Sequence, residues 1–447
     1  MNTIKNIAAR AAFPWAIALF SLNSWANLPV QRTVLPSGAQ VFVVSSMGIP
    51  MVDVQIEFDA GGRRDPRGLE GLASVTSGQL GKGVLAYQGR PALDENQLGE
   101  AWADLGASTG ASAGDDRMGF SLRSLTYPDL LPKAVALAAQ QLAAPAFANA
   151  LWQRDVQRIS ASIKEANTKP ATIAARRFNA AVYADHPYGN ELTEDSLRRI
   201  TVEAMRSFYS THIRACRAKV SIVGAVTQEN AAQLATQLLS GLPQDGCDGL
   251  PAVAEVAALT APQNIAVPFE SAQAHVLIGQ PGYKRSDPDF FALLVGNHIL
   301  GGGGFTSRLT REVREKRGLS YSVYSYFSPG LHAGQFAIGL QTRPDQAAQA
   351  VQVARDTLAQ MVQDGPTAEE LQGAKDNLMG GFALRIDSNK KLLDNIANIA
   401  WLGLPLDYLT NWTARIDSIG LAEVKAALQR KLQPAKMVTV VVGGNPQ

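Results

Sequence analysis

The residues able to do chemistry are few and scattered. The five histidines, His186, His212, His275, His298 and His332, never fall three or four positions apart, so no two of them share a helix face as paired metal-ligating imidazoles do. None stands beside a carboxylate in a metal-binding pattern, and by type they read as structural or surface residues. Cys216 and Cys247 are the only cysteines. Two thiols at this spacing do not make a zinc site; an oxidising compartment would permit a disulfide between them, which the sequence leaves open. Ser74 and Ser77 invite a nucleophilic reading, but no motif places a histidine or lysine base near them. The run Gly301-Gly302-Gly303-Gly304 resembles a phosphate loop, yet it lacks the Lys-Ser/Thr ending and has no strand directly before it. It reads instead as a flexible element at a domain interface. Arg314 lies in the charged run Arg311-Glu312-Val313-Arg314-Glu315-Lys316-Arg317, which by itself fits a solvated helix face, and Tyr321 by itself fits a strand aromatic.

Composition sets the frame for these residues. The chain has 447 residues, 46% apolar and 18% charged, which suits two domains with ample core and excludes a disordered chain. A formal net charge of +2 argues against nucleic acid as a partner, since such binders carry a clustered basic excess. Residues 1–26 read as a cleaved export signal: Lys5 and Arg10, a short apolar stretch from Ala11 to Leu22, then Ser24-Trp25-Ala26 with cleavage after Ala26. The apolar stretch is shorter than a membrane span needs, and no later segment is apolar enough, so no stable membrane span is expected after cleavage. The expected location is outside the cytoplasm, the periplasm if the source is Gram-negative.

The elements follow from periodicity. Residues 51–58 alternate as a half-buried strand, 69–80 read as a helix ended by Gly81 and Gly83, and 107–125 as two extended segments around Gly114-Asp115-Asp116. Helices are expected over 94–105, 130–142, 150–165, 172–183, 201–209 and 228–240, with a buried strand over 219–224. Residues 241–265 carry Pro243, Gly246, Gly249, Pro251 and Pro262 with little periodicity, and 246–265 are read as the linker between an N-terminal domain, 27–245, and a C-terminal one, 266–447. The second part repeats the order of the first: a strand at 274–279, helices at 289–300 and 307–316, a hairpin over 319–341, helices over 345–364, 368–386 and 421–432, and a last buried strand at 437–442. Val220-Ser221-Ile222-Val223-Gly224 and Val438-Thr439-Val440-Val441-Val442-Gly443 are alike, as a duplicated α+β unit would be.

These residues carry a resemblance. Leu35-Pro36-Ser37-Gly38, Ala60-Gly61-Gly62-Arg63-Arg64-Asp65-Pro66, Gly71-Leu72-Ala73 and His186-Pro187-Tyr188-Gly189 resemble the N-terminal half of pitrilysin/insulinase-type zinc peptidases, the inverzincins. Gly301 to Phe305, Ser307-Arg308-Leu309 and Arg314-Glu315-Lys316-Arg317-Gly318-Leu319-Ser320-Tyr321-Ser322-Val323 resemble the second half most specifically. The likeness spans essentially the whole mature chain and is nearest to short bacterial and processing-peptidase-like members. It implies an α+β fold of two homologous domains, each a mixed, mostly antiparallel sheet backed by helices, arranged like a clamshell.

The resemblance also shows what is missing. Active relatives carry His-x-x-Glu-His on the helix after Gly-Leu-Ala: two imidazoles at i and i+4 bind zinc, the glutamate is general base, and a later glutamate is the third ligand. Here Ser74 and Gly78 stand at the histidine positions, Ser77 at the base and Ser162 at the third ligand. A neutral hydroxyl is a poor zinc ligand, and glycine offers no side chain. By contrast Arg314 and Tyr321, seven positions apart, match in type and spacing the pair with which relatives hold the substrate backbone and stabilise the oxyanion. Gly110, Ala111, Ser112 and Ala113 match a region that binds peptide by strand addition, though an ordinary sheet edge fits them as well. The implied reading is a non-catalytic subunit without a cofactor of its own. A homologous partner bearing His-x-x-Glu-His and zinc would complete a peptidase acting on peptides. The alternative is a zinc-free peptide-binding or scaffold protein.

Overall fold

Wholly apolar and alternating runs become two sheets in the computed structural model, which describes residues 29–443; the signal read at 1–26 lies outside the described residues. The first sheet holds β1 (Gln31–Val34), β2 (Gln40–Ser45), β3 (Met51–Phe58), β4 (Ser108–Ala113), β5 (Met118–Leu125) and β6 (Lys219–Gly224), in the order β1-β2-β6-β3-β5-β4. The second holds β7 (Gln263–Val267), β8 (Ala274–Pro281), β9 (Ser320–Phe327), β10 (Gln335–Thr342) and β11 (Val438–Val442), in the order β7-β11-β8-β10-β9. Only β2 with β6 and β7 with β11 run parallel; the other pairs are antiparallel. Removing β1 makes the two orders identical pair by pair, so the duplication seen in the sequence is a duplication of topology. β7 begins at Gln263, inside the stretch read as the linker.

The like endings of the two units have one physical cause. Gly224 and Gly443 both have positive φ, +145° and +118°, and both press against the backbone of the neighbouring strand. A Cβ on Gly224 would lie 2.2 Å from the Met51 carbonyl, and one on Gly443 2.8 Å from that of Gln273. Only glycine fits either place without strain.

Each unit lends a helix to the other. Along β2, Val41 and Val43 join the first core while Phe42 and Val44 join the second, as alternate residues of a strand must point to opposite faces. The first face lies under helices of its own unit, among them Leu131–Ala143 and Gln228–Leu239. The opposite face takes the helix Asn389–Leu402 from the second unit, through Leu393, Ile396 and Ile399. Reciprocally, Pro170–Tyr183 of the first unit packs on β8 and β11, with Ala174, Phe178 and Val182 against Val438, Val440 and Val442. The helices Asn389–Leu402, Tyr408–Ser418 and Glu194–Arg199 are absent from the sequence reading. The helix expected to run to residue 386 stops at Gly380, because two successive glycines weaken its last turn.

Charge reinforces the exchange. Lys219 donates to the Ala400 and Trp401 carbonyls at 3.0 and 2.9 Å, capping the C-terminus of the lent helix as a cation should. Arg117 bridges Glu57 at 3.0 Å and Asn398 Oδ1 at 2.6 Å. Burial pushes Glu57 up to about 7 against the pull of Arg117 and Lys219. Cys216 and Cys247 form a disulfide that ties the connecting stretch back to the turn before β6.

Candidate functional site

The helix Leu72–Gln79 begins at Gly71, whose φ is +95°. The Asp65 carboxylate accepts the Gly71 and Ala73 amides at 2.7 and 2.8 Å, an anion where helix donors are unpaired; burial nevertheless pushes it up to about 6. One turn on, Ser74 and Gly78 share an exposed face. Ser77 is buried, and its hydroxyl donates to the Ser74 carbonyl at 2.8 Å, so it is spent within its own helix. Next to it, Gln79 Nε2 donates to Asp155 at 2.7 Å in a buried contact with the helix Asn149–Ala166. Ser162 is exposed on that same helix, two turns further along. Among the described residues no three His, Cys, Asp or Glu side chains are grouped to hold a metal ion. Two hydroxyls with a bare glycine do not fit zinc.

The structure places two histidines together that the sequence keeps apart. His186 and His332 have ring centroids 5.1 Å apart. His186 Nδ1 accepts the Tyr188 amide at 3.1 Å, so Nε2 carries the proton that it gives the Ala254 carbonyl at 3.0 Å; a neutral ring satisfies both. Tyr188 Oη donates to Asp116 at 2.6 Å and accepts the His332 amide at 3.2 Å. Asp116 also meets Arg63 at 3.1 Å, and His332 meets Glu255 at 3.0 Å. The cluster joins first unit, connecting stretch and second unit; it is a junction rather than a metal site.

Arg314 and Tyr321 are in contact. The residues read as a helix over 307–316 wind from Thr310 to Glu315 as a π-turn, a widening often found at functional sites. This turn and the start of β9 bring the Arg314 guanidinium carbon 4.5 Å from the Tyr321 ring centre and 4.8 Å from that of Phe305. Phe305 and Tyr321 are 71% and 83% exposed, far more than aromatics in a folded core. Arg311, Lys316 and Arg317 each pair with Glu312 or Glu370. No carboxylate pairs with Arg314 among the described residues. Every other cation of the charged run is therefore ion-paired, whereas Arg314 is presented between two exposed rings.

The glycine run is no open loop. Its start belongs to a second π-turn, His298–Gly302, followed by the tight turn Gly304–Thr306. A Cβ on Gly301 would come within 2.5 Å of the Ser325 amide of β9, and one on Gly303 within 2.7 Å of the His298 carbonyl. The expectation of a flexible element at a domain interface is corrected as to its place: Gly301 and Gly303 pack within the second unit, and the run delivers Phe305 to Arg314. Gly110, Ala111, Ser112 and Ala113 lie on β4, at the edge of the first sheet, alternating half-buried and exposed. The helix Leu72–Gln79 packs against β4, while β9, the equivalent edge of the second sheet, packs against the two π-turns. The emptied positions and the Arg–Tyr pair thus belong to corresponding edges of different sheets.

Comparison with known proteins decides the family. Residues 40–196 match the model of insulinase (peptidase family M16), and residues 199–378 that of the peptidase M16 inactive domain. The crystal structure of a peptidase M16 inactive domain from Pseudomonas fluorescens is similar at a TM-score of 0.87 and 31% identity, covering 93% of this chain and 98% of that one. This chain belongs to peptidase family M16. Among curated M16 relatives, the uncharacterized zinc protease SCO5738 of Streptomyces coelicolor is 26% identical over 92% of this chain and 89% of its own. The non-peptidase homolog YmxG of Helicobacter pylori is 25% identical over 84% and 85%. In this M16 chain, then, the inactive type of the family is joined to a presented arginine. Phe305 is the residue to which sequence reasoning gave no role, although it closes the motif Gly301 to Phe305.

Proposed function

We propose that this chain is the non-catalytic subunit of a two-chain M16 peptidase, acting outside the cytoplasm. A homologous partner carries His-x-x-Glu-His and zinc; this chain brings Arg314 and Tyr321 to the partner's site as donors to the substrate backbone and the developing oxyanion. The observation that carries this reading is the unpaired Arg314, held between two exposed rings, in a chain whose own metal-ligand positions are hydroxyls and glycine. A surface cation without a counter-ion and with its orientation fixed by aromatic faces is suited to an anion supplied by another molecule. The Cys216–Cys247 bond accords with an oxidising compartment.

The test is to isolate the tagged chain from its own host and assay the complex with Arg314→Ala and Tyr321→Phe. Loss of an oxyanion donor is expected to lower kcat by about 10²–10³ while both variants still assemble. Full turnover in both would reject the reading. One specific observation favours a second reading, a zinc-free peptide-binding or scaffold protein: a relative of similar length is named a non-peptidase homolog. Peptide binding without hydrolysis in any native assembly would select it.

A further inference from the structure

Away from that pair, the second unit holds a cavity of 410 Å³ whose wall is cationic and aromatic. Arg285 and Arg385 line it with Phe290, Phe382, Tyr408 and Trp412, and among the described residues no aspartate or glutamate does. Arg285 is fixed in place. Its guanidinium carbon lies 3.5 Å from the centre of the Phe290 ring and 5.1 Å from that of Tyr408, and Nη2 donates to Tyr408 Oη at 2.5 Å. Near it in sequence, Lys284 pairs with Glu255 and Asp287 with Lys431, whereas no carboxylate pairs with Arg285 among the described residues. Arg385 lies over Trp412 at 5.4 Å, and Trp412 stacks on Phe382 with centroids 4.9 Å apart and planes inclined by 13°.

Two arginines therefore line one cavity over an apolar floor, and among the described residues no carboxylate pairs with either. Burial already works against the charge of Arg285, and a half-buried cation without a counter-charge is costly until an anion joins it. The guanidinium fork matches a carboxylate in geometry. The cavity's size falls in the lower part of the range of small-ligand sites, roughly 300–1,000 Å³.

We infer that this cavity binds a carboxylate carried on an aromatic or branched apolar body, the two arginines taking the carboxylate and Phe382 with Trp412 the apolar part. The C-terminal residue of a peptide and a free small acid share that chemistry. Position favours the peptide. Tyr326 and Phe327, which also line the cavity, end the edge strand whose start bears Tyr321, some five residues or roughly 17 Å away at ~3.3 Å per residue. The preference for a peptide rests on the role proposed for Tyr321; the cavity's fit to a carboxylate does not, so either reading can fail alone.

The test is calorimetric titration of the full chain with N-acetyl-Ala-Ala-Phe, its C-terminal amide and 3-phenylpropionate. Both acids are expected to bind saturably. The amide, and the exposed-site variant Arg385→Gln, should weaken binding about tenfold to a hundredfold, as loss of charge-assisted hydrogen bonds does. Arg285→Gln should abolish binding, and if it fails to fold Arg385→Gln carries the test. The tripeptide binding more tightly than phenylpropionate identifies a peptide terminus as the source; the reverse order identifies a small acid. No saturable binding of either acid, equal binding of acid and amide, or affinity unmoved in Arg385→Gln would overturn the inference.

Discussion

Arg314 reaches Phe305 and Tyr321 because the chain winds as a π-turn where the sequence shows only helical charge, and that turn is anchored at its start. The Arg308 side chain, 10% exposed, donates to Glu370 at 2.8 and 2.6 Å and to the Gly365 carbonyl at 2.9 Å. Burial pushes Glu370 up, but hydrogen bonds from Arg308 and the Thr367 amide outweigh it and bring the carboxyl down to about 2. Glu370→Gln leaves a mostly buried guanidinium without its counter-charge, which is expected to cost about 3 kcal/mol, read as a lower urea midpoint. The sign with pH follows from the lowered value. The pair's contribution is present above the ordinary carboxyl pKa of 4.5 and is lost as pH falls toward about 2. Wild type and variant should therefore converge in acid; equal midpoints at neutral pH would sink the expectation. Arg314 and Tyr321 were legible in the sequence because they fall within one contiguous motif. Phe305 was not, because its contact depends on a π-turn that a 3.6-residue period does not register. Likewise Ser77 reads as an empty base position, but that its hydroxyl is spent on the Ser74 carbonyl is visible only once the helix is folded.

At the scale of elements, the two units hold each other through exchanged helices. Phe178, buried to 1% exposure on the lent helix Pro170–Tyr183, closes on Gly279 of β8, where a Cβ would come within 2.8 Å of the ring. Phe178→Ala should cost about 3–5 kcal/mol, as large-to-small changes in a packed core do. The loss should also be local, with faster amide exchange in β8 and β11 than in β2 and β3. A uniform rise across both sheets, or none, would show that the helix is not what holds the second sheet. The strands and their duplication were legible because a central strand such as β2 reads as a continuous apolar run from Val41 to Val44 and the two units end in the same glycine. The helix Asn389–Leu402 had its signals too, a Ser388 cap and Gly403 at φ +63°. What no periodicity carries is destination: an amphipathic stripe says that a face is buried, not that it is buried on the other unit's sheet.

For the whole molecule, the junction around His186 ties the relation between the units to pH. The groups facing its ring are His332 and Glu255, with Asp116 held by Tyr188 and Arg63. Burial lowers the His186 pKa, His332 lowers it further, and the Ala254 bond, Glu255 and Asp116 pull the other way without reversing it. A histidine lowered on folding stays neutral in the folded chain while the unfolded chain takes up a proton near the ordinary value of 6.5. Its contribution is present above 6.5 and is lost as pH falls from there to the lowered folded value. Glu57 slopes the other way, since a carboxyl raised to about 7 favours the folded state below 4.5 and loses that contribution as pH rises toward 7. The raw pH profile therefore mixes opposite terms, and a variant must separate them. Glutamine can accept the Tyr188 amide and donate to the Ala254 carbonyl as the neutral ring does, and it cannot be protonated in this range. Urea midpoints of wild type and His186→Gln measured at intervals from pH 7.5 to pH 5 report His186 together with its coupled neighbours His332, Glu255 and Asp116, while titrating groups remote from the junction cancel in the difference. Wild type is expected to lose ground against the variant as pH falls below 6.5. A difference that stays constant with pH would mean that the ring takes up its proton as readily in the folded chain as in the unfolded one, and that His186 does not tie the junction to pH.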